Sequence, residues 1–219
     1  MPNGVESIWY SAFSGCSSLE SVDIPNTVKS IEYDAFYGCS SIREIDVSSV
    51  ESIGLSAFSG CSALSSVKLP DSLAVIEDGL FEDCKRLFSV SIPGTVNSIG
   101  DAAFSGCSSL RDIDISSVKA IGLAAFSDCP LLESVTMPNV ERVGDHAFMS
   151  CSSLKSVTMP KVKKVGDYAF SLCSSLESVT MPKVKIVGDC AFSYCSSLES
   201  VTMPDSMESI SDSAFEGCK

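Results

Sequence analysis

Apolar residues recur along this chain in fixed columns, and the columns repeat every 22 or 23 residues. Phenylalanine stands at Phe13, Phe36, Phe58, Phe81, Phe104, Phe126, Phe148, Phe170, Phe192 and Phe215, with cysteine three residues after each, from Cys16 to Cys218. Alanine precedes every one of them except Phe81, which follows Leu80. Leu or Ile comes three residues after each of the first nine cysteines, and two further apolar columns follow, Val22 to Val201 and Ile24 to Met203.

The segment Leu154 to Ser175 shows one whole unit. Val157 and Met159 alternate with Ser156 and Thr158, the period of a short half-buried strand. Pro160 then ends the ladder, because it has no N–H to donate. Val162 and Val165 turn apolar groups back inward on a return leg. Asp167 is placed to cap a short helical turn carrying Ala169, Phe170 and Cys173, and Asp78, Asp101, Asp145, Asp189 and Asp212 share its column. The neighbouring glycine column also holds Trp9, Glu32, Glu77 and Ser211, so no positive φ is expected there.

One such unit cannot bury its own apolar side; stacked units can. The expected architecture is a single β-rich repeat solenoid over residues 1–219, of about ten repeats, incomplete at both ends. Rungs spaced about 4.8 Å apart would give a rod or arc of roughly 45–50 Å. The longer and shorter repeats differ by one residue after the strand, as in Pro25-Asn26-Thr27-Val28 against Ser48-Ser49-Val50, in a loop that faces solvent. Uncapped solenoid ends are open to end-to-end or edge pairing with a second copy. Trp9 and Tyr10 are placed to cover the open core at the first rung.

Hydrophobic residues make up 45% of the chain, ample for a continuous core. The net charge of −13 argues against general nucleic-acid binding, which needs cationic surface. No apolar run approaches the roughly 20 residues that cross a bilayer, and the first residues carry no basic and apolar leader pattern. Ten of the 11 cysteines follow the repeat and only Cys190 lies outside the series, so they read as small buried apolar groups rather than a disulfide framework. The sole histidine is His146, which leaves no zinc-type cluster and no residue pattern that calls for a cofactor.

The pattern Leu-x-x-Val-x-Ile-Pro-x-x-Val-x-x-Ile-Gly-x-x-Ala-Phe-x-x-Cys resembles the BspA-like leucine-rich repeat and covers essentially the whole chain. That resemblance implies a curved, right-handed leucine-rich-repeat superhelix with a parallel sheet on its concave side and short helical or 3₁₀ turns on the convex side. It also implies a cell-surface or secreted protein that adheres to other macromolecules, and not an enzyme. A protein or glycan partner is then expected on the concave strand face, with no membrane insertion.

On that face the outward positions of the first half are Asp23, Glu44, Asp46, Lys68, Ser91, Asp112 and Asp114. They read either as a contact for basic partners or cations, or as a solvated acidic surface. Thr136, Thr158, Thr180 and Thr202 form a hydroxyl ladder in the second half, beside Ser134, Ser156, Ser178 and Ser200. Such a ladder suits an extended partner, including a repeating carbohydrate or other lattice, and a uniform face also fits a spacer with no ligand. Phe88 breaks a polar column that holds Arg43, Arg111, Glu133, Lys155 and Glu177, either as an interface anchor or as a ring packed on its neighbours' side chains. His146 falls with Tyr168 and Cys190 in a column away from these ladders, which speaks against a Ser-His-Asp site. Lys161, Lys163, Lys164, Lys183 and Lys185 cluster on two return legs, either as an attraction for polyanions or as a solvated face.

Overall fold

The computed structural model describes residues 1–219 as a parallel-strand β-solenoid of about nine turns. Outbound strands Glu44–Asp46, Ser66–Lys68, Asp112–Asp114, Ser134–Thr136, Ser156–Thr158, Ser178–Thr180 and Ser200–Thr202 point their central residue inward and the flanking two outward. They form three separate parallel ladders, because Val22–Ile24 and Val90–Ile92 are not strands and residues 134–136 do not pair with 156–158. The return legs form the longer array. Two-residue strands from Ser7–Ile8 to Ser209–Ile210 pair in register from each repeat to the next, interrupted once between Ser52–Ile53 and Val75–Ile76. The return leg was expected to turn apolar groups inward; it is extended as well, and Ile and Val there satisfy both demands, since β-branched side chains pack well on a pleated surface.

No helix forms in the Ala-Phe-x-x-Cys segment, contrary to expectation. Its backbone instead alternates its partners. Ala102, Phe104 and Gly106 donate N–H to Leu123, Ala125 and Ser127 on the next rung at 2.7–2.8 Å, whereas Ser105 and Cys107 donate three residues back. A helix aims every N–H along its own axis and could not make the cross-rung bonds. Two residues per turn adopt left-handed backbone to achieve this, as at Ala102 (φ 52°) and Gly106 (φ 72°). The first of these columns is filled by Ser, Asp, Ala, His, Tyr and Cys, residues that bear the conformation at some cost.

The aspartates likewise serve the stacking and do not cap helices. Asp78 accepts the backbone N–H of Asp101 at 2.7 Å, Asp101 that of Leu123 at 2.7 Å, and Asp167 that of Asp189 at 2.8 Å. The adjacent glycines have ordinary φ, as expected, and are needed for another reason: a Cβ on Gly144 would strike the Gly122 carbonyl.

Inside, 64 residues form one continuous hydrophobic cluster. The ten repeat phenylalanines stack face to face in an unbroken column, centroids 5.0–5.9 Å apart. All eleven cysteines are free thiols, and the buried ones do more than fill space. The Cys107 thiol donates to the Phe81 carbonyl of the preceding rung at 3.2 Å, and Cys61, Cys84, Cys129, Cys151, Cys173 and Cys195 repeat the bond. Each such carbonyl already accepts its own turn's N–H, so the thiol occupies its second lone pair. Trp9, 70% exposed, and Tyr10, stacked on Tyr33, do not cover the core at the first rung.

Two outcomes are expected. Phe104→Ala opens a hole in the middle of the ring column and should cost about 3–5 kcal/mol in denaturant unfolding. Burial pushes the Cys39 thiol up to about 11 and the Cys61 thiol up to about 12, from an ordinary 9.0. Unfolded thiols ionise first, so the ladder's contribution is fully present below pH 9 and is lost as pH rises toward 12. The unfolding midpoint should fall over that window, and Cys61→Ala should flatten the fall.

Candidate interaction surface

On the outbound face, alternation sets what is presented: Ile45, Val67, Ile113 and Val135 point inward, and their neighbours stand in solvent. Glu44, Asp46 and Lys68 meet in a depression of about 320 Å³, with Lys68 Nζ 4.0 Å from an Asp46 oxygen. Asp46 and Asp23 line a second hollow of about 210 Å³ together with Asn26 and Ser48. Asp112 and Asp114 stand opposite Ser134 and Thr136 on paired strands. Thr158, Thr180 and Thr202 are in strict register, while Thr136 belongs to the other ladder.

The acidic positions are not equivalent. Asp46 Oδ1 accepts both the N–H and the hydroxyl of Ser48, at 2.9 and 2.6 Å. Those two bonds, with Lys68 nearby, hold its carboxyl below the usual carboxylate range. Asp114 makes the same pair of bonds to Ser116. In both repeats serine replaces the proline that ends the other strands, and the aspartate two residues earlier takes the N–H that proline lacks. Asp23 precedes Pro25 and has no such N–H to bind, so its carboxylate stays uncommitted. Asp46 and Asp114 therefore shape the turn, whereas Asp23, Glu44 and Asp112 remain available to a partner.

Phe88 lies 52% exposed, on the rung that leaves the sheet. The cross-rung bond from Arg111 N–H to its carbonyl is stretched to 3.5 Å, against 2.7 Å for the next bond in that column. Ser91 is exposed on the same rung. Beyond Phe88 the column becomes a charge ladder, Arg111 to Glu133 at 3.4 Å and Glu133 to Lys155 at 3.8 Å, both solvent-exposed and of small energetic weight. His146 stacks on Tyr168 at 5.0 Å in the left-handed column of the turn. No three His, Cys, Asp or Glu residues gather as metal ligands, and no helix is long and apolar enough to cross a membrane.

The largest hollow is elsewhere. A groove of about 380 Å³ runs over the return strands, lined by Gly100, Gly122 and Gly144, by Arg142 and Lys164, and by Asp101 and Asp145. Sequence reasoning passed over it. Its signal was a column that turns basic at Arg142, beside the glycine column.

Parallel rungs, apolar ladders that repeat in fixed columns and free outward strand positions define a leucine-rich-repeat solenoid. The sequence matches the BspA type leucine rich repeat region in six copies, over residues 1–111, 47–140 and 119–219, and the chain belongs to that family. It is similar to a leucine-rich repeat protein of Bacteroides ovatus at 30% identity and a TM-score of 0.67, covering 100% of this chain and 69% of that one. A leucine rich cell surface protein of Faecalibacterium prausnitzii gives 27% and 0.63, with 99% and 62% covered, so this chain spans less than two thirds of that relative. The leucine rich repeat protein of T. pallidum gives 32% and 0.56, with 82% and 75% covered. No curated protein matches the sequence.

Substitution should separate the two kinds of acidic residue. Asp114→Ala removes both bonds from Ser116 and should cost about 1–2 kcal/mol in chemical unfolding. Asp112→Ala should stay within about 0.5 kcal/mol.

Proposed function

We propose that the outbound-strand face is the contact surface of an adhesion or interaction module of a cell-surface or secreted protein, taking a protein or glycan partner. One observation carries the reading: the second half of this face leaves its threonine hydroxyls unspent. Elsewhere on the solenoid, several exposed or half-buried polar side chains bond to a neighbouring rung, as Ser41 does to the Ser17 carbonyl, Thr95 to Leu73, Asn139 to Ser116 and Asp101 to Leu123. The hydroxyls of Thr136, Thr158, Thr180 and Thr202 make no bond within the chain and stand at one-rung intervals. A partner can satisfy them without disturbing the fold. Glu44 with Lys68 adds charge at one end, and Phe88 adds an apolar anchor between the two. The cell-surface description of the Faecalibacterium relative supports the setting. A continuous hydroxyl lattice is the weaker reading, because the ladder is broken at rung four and again between Thr136 and Thr158.

The test is binding of the chain to immobilised matrix glycoproteins and neutral glycans, beside a Phe88→Asp/Thr158→Lys/Thr180→Lys variant. Loss of at least about tenfold in affinity with unchanged unfolding is expected. Equal binding by the variant moves the contact off this face. Absence of binding by either protein favours the spacer role.

A further inference from the structure

Nine of the ten turns place alanine before the phenylalanine, and one places Leu80 there. Leu80 is as completely buried as Ala57 before it and Ala103 after it. A leucine side chain thus occupies a space that the rest of the column fills with a methyl group, and overpacking of that kind pushes neighbours apart. Phe58 and Phe81, on the two turns concerned, stand 5.9 Å apart, the widest step in a ring column otherwise spaced at 5.0–5.7 Å.

The backbone parts at the same place. One full circuit of chain, residues 48–70, lies against the next, residues 71–92. On the return leg, Ser52–Ile53 and Val75–Ile76 belong to different sheets, and no Cα of one strand comes within 8 Å of the other. Paired strands would stand about 4.8 Å apart. The N–H groups of Ala74 and Glu77 find no carbonyl on the preceding circuit, whereas one rung later Asn97 and Gly100 bond to Ala74 and Ile76 at 2.9 and 2.8 Å. On the outbound leg, residues 89–91 are not a strand, and no backbone bond joins them to Ser66–Lys68. Only the turn holds. The N–H groups of Ser56, Phe58 and Gly60 donate to Asp78, Leu80 and Glu82 at 2.9, 3.1 and 2.7 Å, and the Cys84 thiol donates to the Phe58 carbonyl at 3.2 Å. At every other junction the return strands stay paired.

We propose that this junction is a hinge between a short arm, residues 1–70, and a long arm, residues 71–219, with the bonded turn as its axis and Leu80 as the wedge that keeps the other two legs apart. The stiffness of a solenoid comes from contacts between neighbouring repeats, so a circuit bonded on one side only bends about that side. The stacked Phe58 and Phe81 keep the core continuous across the joint and hold the arms together. Between the arms the chain crosses once, at Leu69-Pro70-Asp71. Lys68 ends the outbound face of the short arm and Phe88 begins that of the long arm, so the hinge angle sets their separation. The hinge rests on the backbone alone and stands whether or not that face takes a partner.

The experiment is double electron–electron resonance on the 219-residue chain, with nitroxides carried on introduced ketone-bearing residues so that the 11 native cysteines stay unlabelled. Labels in place of Glu6 and Asn97 are four rungs apart across the junction, and labels in place of Asn97 and Lys185 are four rungs apart within the long arm. Each pair is separated by about 20 Å of stacking. The distance distribution of the first pair should be at least about twice as wide as that of the second. Leu80→Ala gives this turn the residue of the other nine and should bring the two widths to within about a third of each other. Leu80→Val, a smaller cut should alanine prevent folding, should narrow the first distribution part of the way. Equal widths in the parent chain overturn the hinge. A broad Glu6/Asn97 distribution that neither substitution narrows places the motion in fraying of the first rungs and overturns it too.

Discussion

Every feature of this solenoid answers to one constraint: the backbone of each rung hydrogen-bonds to the next at almost every station around the turn. Strands do this by habit, but here the turns do so as well, through the alternate N–H groups of the Ala-Phe-x-x-Cys segment. Strand-like spacing at a turn leaves no room for a helix, demands left-handed residues such as Ala102 and Gly106, and forbids a Cβ at Gly144. The spacing also sets the side-chain columns. Rings held about 5 Å apart stack flat, so the phenylalanine column is the form in which a large apolar group satisfies the backbone's repeat. The thiols complete it, small enough for the space and able to donate to a carbonyl that would otherwise keep a lone pair unused.

Because the repeat absorbs most polar groups into rung-to-rung bonds, the positions that escape it are informative. Asp46 and Asp114 looked like surface ligands and turn out to replace a proline's function at a strand end. The threonines of the outbound face, with Arg142 and Lys164 on the return face, are groups the stacking does not use. They lie on separate sides of each rung. One side presents neutral hydroxyls and an exposed phenylalanine, the other a groove lined by both cations and carboxylates.

Much of the architecture could be read from the residues. The period, the inward columns, the burial of cysteine and the outward direction of Glu44, Lys68 and Thr158 all follow from apolar spacing and strand alternation, which are properties of the chain taken one repeat at a time. Phe88 was visible as an apolar residue in a polar column. The conformation of the turn was not, since Asp, Ala and Phe in that order suit a capped helix as well as a cross-rung ladder. Neighbouring backbone decides between them.

The sequence by itself determined which columns are buried and which side chains share a column. Only the tertiary structure decided what each column does: aspartate as a bracket instead of a cap, glycine as the point where one rung's backbone closes on the next, thiol as a hydrogen-bond donor, and Arg142 as the partner of Lys164. The reason is physical. Burial is set within a repeat by alternation of apolar and polar residues, whereas these roles depend on contacts 22 or more residues apart that exist only when one rung lies against the next.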